Sequence, residues 1–226
     1  MSWLTNFLFS SIGRKIIMSL TGIFLILFLT VHLIGNLQLL KGDGGEAFNV
    51  YADFMGHNTL IQIISIGNFS FIILHAFMGI FLWLRNKAAR GSRYAVTTTA
   101  NTSFTSRNMA WFGIIILVFI LIHLAQFWFR MKIGTVDPVV VEGAEIKNLY
   151  ALVAATFSNS LSVIFYVISM IVIAFHLHHG FQSAFQTLGL NHKKYTPLIK
   201  GLGTAYSILI PLGFAIIPIV FYLTKA

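Results

Sequence analysis

Five long apolar segments dominate this 226-residue sequence and restrict the chain to a membrane. They cover residues 16–40, 60–84, 109–129, 161–185 and 202–223. A helix that crosses a bilayer needs about 20 mainly apolar residues, whereas a spanning β-strand is about half as long and alternates in polarity. The sequence therefore predicts an all-α integral membrane bundle of five transmembrane helices, in which residues 1–226 form a single membrane domain.

The composition agrees with this prediction and excludes several kinds of chemistry. Hydrophobic residues make up 57% of the chain and charged residues 9%, compared with about 45–50% and about 25% in soluble proteins. Cysteine is absent, which rules out structural disulfides, haem attached through a C-x-x-C-H motif, and an iron–sulfur cluster held by this chain. Residues 1–13 carry one apolar helical face and predict an interfacial helix rather than a signal peptide.

The basic residues between the apolar segments predict how the chain crosses the membrane. Cytoplasmic connections of membrane proteins carry an excess of Lys and Arg. Ten basic residues fall on one predicted side: Arg14, Lys15, Arg85, Lys87, Arg90, Arg93, Arg107, Lys193, Lys194 and Lys200. The other side holds five basic and all six acidic residues: Lys41, Arg130, Lys132, Lys147, Lys225, Asp43, Glu46, Asp53, Asp137, Glu142 and Glu145. We therefore expect a cytoplasmic N-terminus and an external C-terminus, and the net charge of +9 then indicates topology rather than nucleic-acid binding.

The connections between the predicted helices differ in length and polarity. We expect short interfacial helices in the outer connections, 41–59 and 130–160. The inner stretch 86–106 is rich in Ser and Thr and predicts a solvent-facing loop. Its basic cluster is typical of an orientation signal, and a docking patch for a partner is the alternative.

Four of the apolar segments contain a histidine, and an ionisable side chain is costly to place inside a bilayer without a partner. These are His32, His75, His123 and one of the group His176, His178 and His179. A single histidine often serves only as a polar contact between helices. Four at matched depths favour a shared function.

The depths of the histidines divide them into two pairs. With about 1.5 Å of rise per residue, His32 lies about 26 Å beyond Lys15, and His123 lies about 24 Å beyond Arg107. His75 lies only about 15 Å from Arg85, and His176 comes late in a segment that runs inward. The sequence therefore predicts an outer pair, His32 with His123, and an inner pair, His75 with His176.

Glycines repeat around these histidines in the same two groups. Gly22 and Gly113 each stand ten residues before an outer histidine, whereas Gly79 and Gly180 each stand four residues after an inner one. A glycine at i+4 lies on the face of the helix that carries the histidine, where it leaves room for a flat ligand or another helix.

Two imidazoles that face each other across a helix bundle suit the two axial positions of a haem iron. Zinc suits them less well, because it takes four close ligands and the predicted spans hold neither cysteine nor carboxylate. We therefore expect two noncovalent b-type haems. His179 lies at i+3 from His176 and is an alternative fourth ligand, whereas His178 lies about 200° around the helix.

These features together resemble a known family, the single-chain, five-helix, di-haem cytochrome b anchor subunit of succinate dehydrogenase and fumarate reductase (succinate:quinone and quinol:fumarate oxidoreductases). The resemblance covers nearly the whole chain. It rests on Ser11-Ile-Gly-Arg14-Lys15 through Ser19-Leu-Thr21-Gly22, the four helix histidines, His176-x-x-x-Gly180 and a histidine-free fifth helix.

The resemblance implies a function within a respiratory complex II of a bacterial cytoplasmic membrane. His75 and His176 would ligate the haem nearer the cytoplasm, and His32 and His123 the outer haem. A flavoprotein subunit and an iron–sulfur subunit would bind on the cytoplasmic side. The chain would carry electrons between the iron–sulfur subunit and a membrane quinone, and the expected quinone is menaquinone. It would not itself act on succinate or fumarate.

Other site residues follow from their positions in this scheme. Ser19, Arg107 and His179 are candidates for contacts with the propionates of the inner haem. Glu46, Asp53 and His57 are candidates for binding a quinone at the outer end, and each is also an ordinary loop or interface residue. Some two-haem members of the family carry a proton-conducting glutamate two residues before the fourth histidine, where this chain has Ala174.

Two other functions fit parts of the pattern. A di-haem cytochrome b subunit of another membrane dehydrogenase, such as a hydrogenase, would carry the same histidine pairs. A proton-coupled transporter with a histidine relay would be colourless, and the absence of acidic residues from the spans disfavours it. The sequence leaves open the direction of the reaction and the oligomeric state of the complex.

Overall fold

The computed structural model describes residues 2–89, 103–134 and 136–224 of the chain. The structure is 84% helical. Within the described residues, five helical segments are long and apolar enough to cross a membrane: Ser11–Leu40, Thr59–Ala89, Phe104–Lys132, Ser160–Thr187 and Thr196–Thr224. The five predicted helices are confirmed. Most extend beyond their apolar segments, because the polar residues at their ends continue the helical hydrogen bonding.

The N-terminal region contains a short helix followed by the first long one. Helix α1 covers Trp3–Phe9 and α2 covers Ser11–Asn36, followed by one 3₁₀ turn at Leu37–Leu40. The Ser10 hydroxyl separates the helices by accepting a 2.9 Å hydrogen bond from the Gly13 N–H. The interfacial segment expected over residues 1–13 therefore ends at Ser10, because this capping bond starts α2 there.

The next three helices are α3 at Glu46–His57, α4 at Thr59–Ala89 and α5 at Phe104–His123. Beyond His123 the chain continues as a π-helical stretch at Leu124–Phe129 and a short α6 at Arg130–Lys132. Part of the predicted loop at 86–106 is helical, since α4 extends to Ala89 and α5 begins at Phe104. The rest of that loop, with Arg90 and Arg93, lies outside the described residues, as does Lys225.

The second outer connection contains a β-hairpin that the all-α prediction omitted. Strand β1, Pro138–Val141, pairs antiparallel with β2, Ala144–Lys147. The two residues between them, Glu142 and Gly143, have φ angles of 50° and 81°, as in the tight turns that match the twist of a hairpin. The expected helix of this connection follows as α7 at Leu149–Phe157.

The last two helices are α8 at Ser160–Thr187 and α9 at Thr196–Thr224, and α9 continues through Pro211 and Pro218. The four histidine-bearing helices form a closed ring, because α2 packs against α4, α4 against α5, α5 against α8, and α8 against α2. Helix α9, which lacks histidine, packs outside the ring on α8 and α2. The inner face of the ring is therefore shared by all four predicted ligand helices.

We call the end of the bundle that carries α3, the hairpin and α7 the outer end, and the opposite end, where α2 begins, the inner end. Buried Asn49 on α3 ties the outer end together: its Oδ1 accepts from the Tyr150 N–H at 2.9 Å, and its Nδ2 donates to Asn148 Oδ1 at 3.2 Å. The Asp43 carboxylate accepts from the N–H groups of Ala47 and Gly45, and these bonds hold the pKa of Asp43 below its usual value.

Candidate functional site

The inner histidine pair joins two helices that stand opposite each other in the ring. His75 on α4 and His176 on α8 have ring centres 6.3 Å apart, with the ring planes at 69°. His179 makes no ring contact with His75 in the described part of the chain. The structure thus brings together the inner pair that was predicted from depth, with His176 rather than His179 facing His75.

A hydrogen bond from α2 orients one member of the inner pair. The Thr21 hydroxyl donates to the Ile17 carbonyl at 2.8 Å, and its oxygen lies 3.1 Å from Nδ1 of His75. Since the hydroxyl proton is already committed, Nδ1–H of His75 donates to Thr21 and Nε2 is left free. Within the described residues, the Nδ1 atom of His176 is buried without a hydrogen-bond partner.

Two glycines give the inner imidazoles room to approach the opposite helices. A Cβ atom added at Gly22 would lie 3.4 Å from Cε1 of His75, and one added at Gly113 would lie 4.0 Å from Cε1 of His176. The sequence interpretation grouped these glycines with the outer histidines that follow them. In the structure they face the inner pair, because antiparallel packing sets the inner halves of neighbouring helices side by side.

The outer pair consists of His32 on α2 and His123 on α5, whose ring centres are 5.9 Å apart with the planes at 88°. This pair also crosses the ring, between helices that are not neighbours. The Nδ2 amide of Asn36 donates to the His32 carbonyl at 2.8 Å and lies 3.4 Å from Nδ1 of the same ring. Phe28 stacks on His32, with ring centres 5.2 Å apart.

A short hydrogen-bonded chain orients His123. The buried Tyr166 hydroxyl on α8 donates to Oε1 of Gln126 at 2.7 Å, and its oxygen lies 3.4 Å from Nδ1 of His123. Gln126 lies in the π-helical stretch that begins directly after His123. Such stretches often occur at functional sites. As at His75, the contact leaves Nε2 of the ring free.

At each level two imidazole rings from different helices lie in contact. Among residues 2–89, 103–134 and 136–224, no three His, Asp or Glu side chains converge to hold a metal ion. A metal–imidazole bond is about 2.0–2.1 Å long and the ring centre lies about 1 Å beyond the nitrogen, so two rings on opposite sides of one metal have centres about 6 Å apart. Both observed separations fit a metal whose remaining ligands come from a planar macrocycle, as in haem.

The predicted propionate contacts are less well placed than the axial pairs. The Ser19 hydroxyl is buried and donates to the Lys15 carbonyl at 2.9 Å. Arg107 is exposed in the first turns of α5, and His179 is partly buried one turn beyond His176. None of the three hydrogen-bonds either inner histidine in the described residues.

The quinone candidates lie on α3 at the outer end. Asp53 and His57 are in contact, with Nδ1 of His57 3.3 Å from Oδ1 of Asp53, and the His57 side chain is 80% exposed. Glu46 is exposed two turns away on the same helix. The structure therefore joins two of these three residues into one exposed pair and leaves Glu46 separate.

The roles of Thr21 at His75 and of Tyr166 at His123 were not identified from sequence. Thr21 and Tyr166 are polar residues inside apolar spans. Their isolated position in the sequence could have indicated that each has a polar partner on another helix. Their contacts depend on how each helix is rotated, which hydropathy does not specify. An apolar groove of about 430 Å³ adjoins this region between α2 and α4, and Thr21 is the polar residue in its lining.

Comparison of the chain with protein-family models, curated proteins and solved structures finds no match.

Proposed function

We propose that this chain is the di-haem b anchor subunit of a succinate:quinone oxidoreductase or quinol:fumarate reductase in a bacterial cytoplasmic membrane. The observation that carries the proposal is the pair of cross-ring histidine contacts, with ring centres 5.9 Å and 6.3 Å apart at two depths of one bundle. At each level the two partly buried imidazoles would hold a haem, and no third His, Asp or Glu side chain joins them among the described residues.

Each histidine has a distinct role in this proposal. His75 and His176 hold the inner haem, and His32 and His123 hold the outer haem. Thr21 and Tyr166 accept hydrogen bonds from Nδ1 of one ligand in each pair, which fixes the ring orientation and makes the ligand more basic. When bound, haem supplies a one-electron carrier at each level. The apolar helix faces keep water away from both carriers.

The orientation of the chain follows from its charges. The excess of basic residues at the inner end supports a cytoplasmic location for that end under the positive-inside rule. A flavoprotein and an iron–sulfur subunit dock there, and the quinone reacts at the outer end, where Asp53 and His57 form an exposed pair. An electron that crosses the whole membrane moves through a field worth about 2.3 kcal/mol per 100 mV, so turnover responds to the membrane potential.

Haem analysis of the purified chain tests this proposal. We expect two b-type haems per chain, released without covalent attachment, and copurification of a flavin-containing and an iron–sulfur subunit with the native complex. A chain that folds in the membrane and contains no haem when haem is supplied would refute the proposal. Two haems together with hydrogenase subunits would support the alternative dehydrogenase instead.

A further inference from the structure

Arg14 is a buried cation in the first turns of α2. It is 8% exposed, and its Nε atom is buried with no hydrogen-bond partner among residues 2–89, 103–134 and 136–224. Its guanidinium carbon lies 5.4 Å from the centre of the Phe81 ring on α4. Because arginine stays protonated in proteins, the chain buries a positive charge here against an aromatic ring. Such a charge is strongly unfavourable without an anionic partner.

The chain itself supplies no such partner. All six acidic residues are in the described part of the structure and lie in the two connections at the outer end: Asp43, Glu46, Asp53, Asp137, Glu142 and Glu145. Arg14 lies at the opposite, inner end of the same bundle. The anion that neutralises Arg14 must therefore belong to another molecule.

The position of Arg14 indicates which molecule this is. Arg14 precedes Thr21 by seven residues, which is two helical turns or about 10 Å along the same face of α2. Thr21 contacts His75, and Phe81 lies between His75 and the inner end of α4. The guanidinium therefore faces the space on the cytoplasmic side of the inner histidine pair, between the two helices that flank it.

The neighbouring residue makes a lipid phosphate a poorer partner. Lys15 is exposed and is the residue of this pair that can reach a headgroup at the membrane surface. Arg14 points into the helix packing instead. A carboxylate carried by a group already inside the bundle reaches Arg14 without passing through the interface.

We propose that Arg14 binds a propionate carboxylate of the inner haem, an inference that rests on the proposed function. The guanidinium presents paired N–H donors that match a carboxylate. This assigns the propionate contact to Arg14 rather than to Ser19, whose hydroxyl donates to a backbone carbonyl, or to Arg107, which is exposed.

The test supplies haem b or its dimethyl ester, in which both propionates are uncharged, to the full-length haem-free chain in phosphatidylcholine vesicles. The variants are Arg14→Gln, Arg14→Lys and the control Lys15→Gln, which removes the same charge from an adjacent exposed position. Occupancy of the inner site is measured as the spectral component that His75→Ala removes. The outer haem reports whether each variant is folded.

We expect the wild-type inner site to bind the ester about tenfold more weakly than haem, because the ester lacks the carboxylate that forms a charge-assisted hydrogen bond. In Arg14→Gln the inner site should bind haem and ester equally weakly. Arg14→Lys should retain part of the preference for haem, and Lys15→Gln should match the wild type. The midpoint potential of the inner haem should fall in Arg14→Gln, because the lost positive charge had favoured the reduced form.

Three outcomes would overturn the inference. The first is equal affinity of the wild-type inner site for haem and for its ester. This result can be interpreted even if the variants do not fold. An unchanged preference for haem in a folded Arg14→Gln is the second. The third is inner-site binding that depends on added phosphatidylglycerol in the wild type but not in Arg14→Gln, which would assign the anion to lipid phosphate. A wild-type chain that binds no haem would refute the proposed function instead.

Discussion

The hydroxyl oxygen of Thr21 lies 3.1 Å from Nδ1 of His75, on the neighbouring helix of the ring. This contact gives the inner histidine a fixed orientation with Nε2 free. A comparable contact between Tyr166 and His123 serves the outer pair. The two levels of the bundle can therefore be perturbed separately, each from a residue that is not itself a ligand.

Replacing Thr21 with valine tests the inner contact. Thr21→Val keeps the shape of the side chain but removes the hydroxyl that accepts from the Nδ1–H group of His75. His75 then becomes a less basic ligand, so we expect the midpoint potential of the inner haem to rise. The expected rise is about 40 mV, because the hydrogen bond contributes about 1 kcal/mol and the haem transfers one electron. A redox titration followed optically measures it. The control Thr204→Val removes a hydroxyl that bonds only the Lys200 carbonyl and should change neither potential.

Tyr166→Phe is the matching test at the outer level. We expect the potential of the outer haem to rise and that of the inner haem to stay unchanged. The variant should also lose about 1–3 kcal/mol of stability, since Gln126 loses its donor inside the bundle, and thermal unfolding in detergent measures this loss. Tyr206→Phe is the control, because the Tyr206 hydroxyl donates to the Ile26 carbonyl and contacts no histidine in the part of the chain that the structure describes. A shift of the inner haem in Tyr166→Phe would contradict the separation of the two levels.

Gly22→Leu tests the close approach between α2 and His75. A Cβ at this position would already lie 3.4 Å from the imidazole, so a leucine side chain must displace His75. We expect the inner haem to be lost and the outer haem to be retained, even though Gly22 shares a helix with His32. The control is Gly67→Leu in α4, where a Cβ meets no atom within 4 Å. Loss of the outer haem alone in Gly22→Leu would show that the glycine serves the other pair.

The contrast around Gly22 also shows what the sequence could and could not predict. Hydropathy predicted five helices, and the rise per residue predicted which histidines share a depth, because both depend only on position along one helix. The neighbour of Gly22 depends on how α2 and α4 align, so the glycine spacing did not predict its contact with His75. The orienting contacts of Tyr166 and the buried state of Arg14 depend on helix rotation in the same way.

The hairpin was missed for a different reason. Val139, Val140 and Val141 form a short apolar run after Pro138, and in a chain of apolar helices such a run gives no distinct signal. Its turn places Glu142 at a φ of 50°, a conformation that non-glycine residues adopt rarely. Only the pairing with β2, which lies outside the bundle, reveals the strand.

The absence of cysteine makes the orientation of the chain directly measurable. Ser2→Cys and Ser158→Cys each introduce one exposed thiol, at the inner and the outer end respectively. In intact cells or right-side-out vesicles, a membrane-impermeant maleimide should label the Ser158→Cys chain and leave the Ser2→Cys chain unlabelled. After detergent is added, the maleimide should label both variants. Labelling of the Ser2→Cys chain alone in intact vesicles would reverse the proposed topology and place the cytoplasmic partners at the other end.

The central claim is that two histidine pairs each hold one haem, and redox titration of histidine variants tests it most directly. We expect His32→Ala and His123→Ala to remove the same component of the spectrum, and His75→Ala and His176→Ala to remove the other. The double variant His32→Ala/His123→Ala should lose no more haem than either single variant. Loss of different components by His32→Ala and His123→Ala, or two intact haems in any of the four variants, would contradict the account.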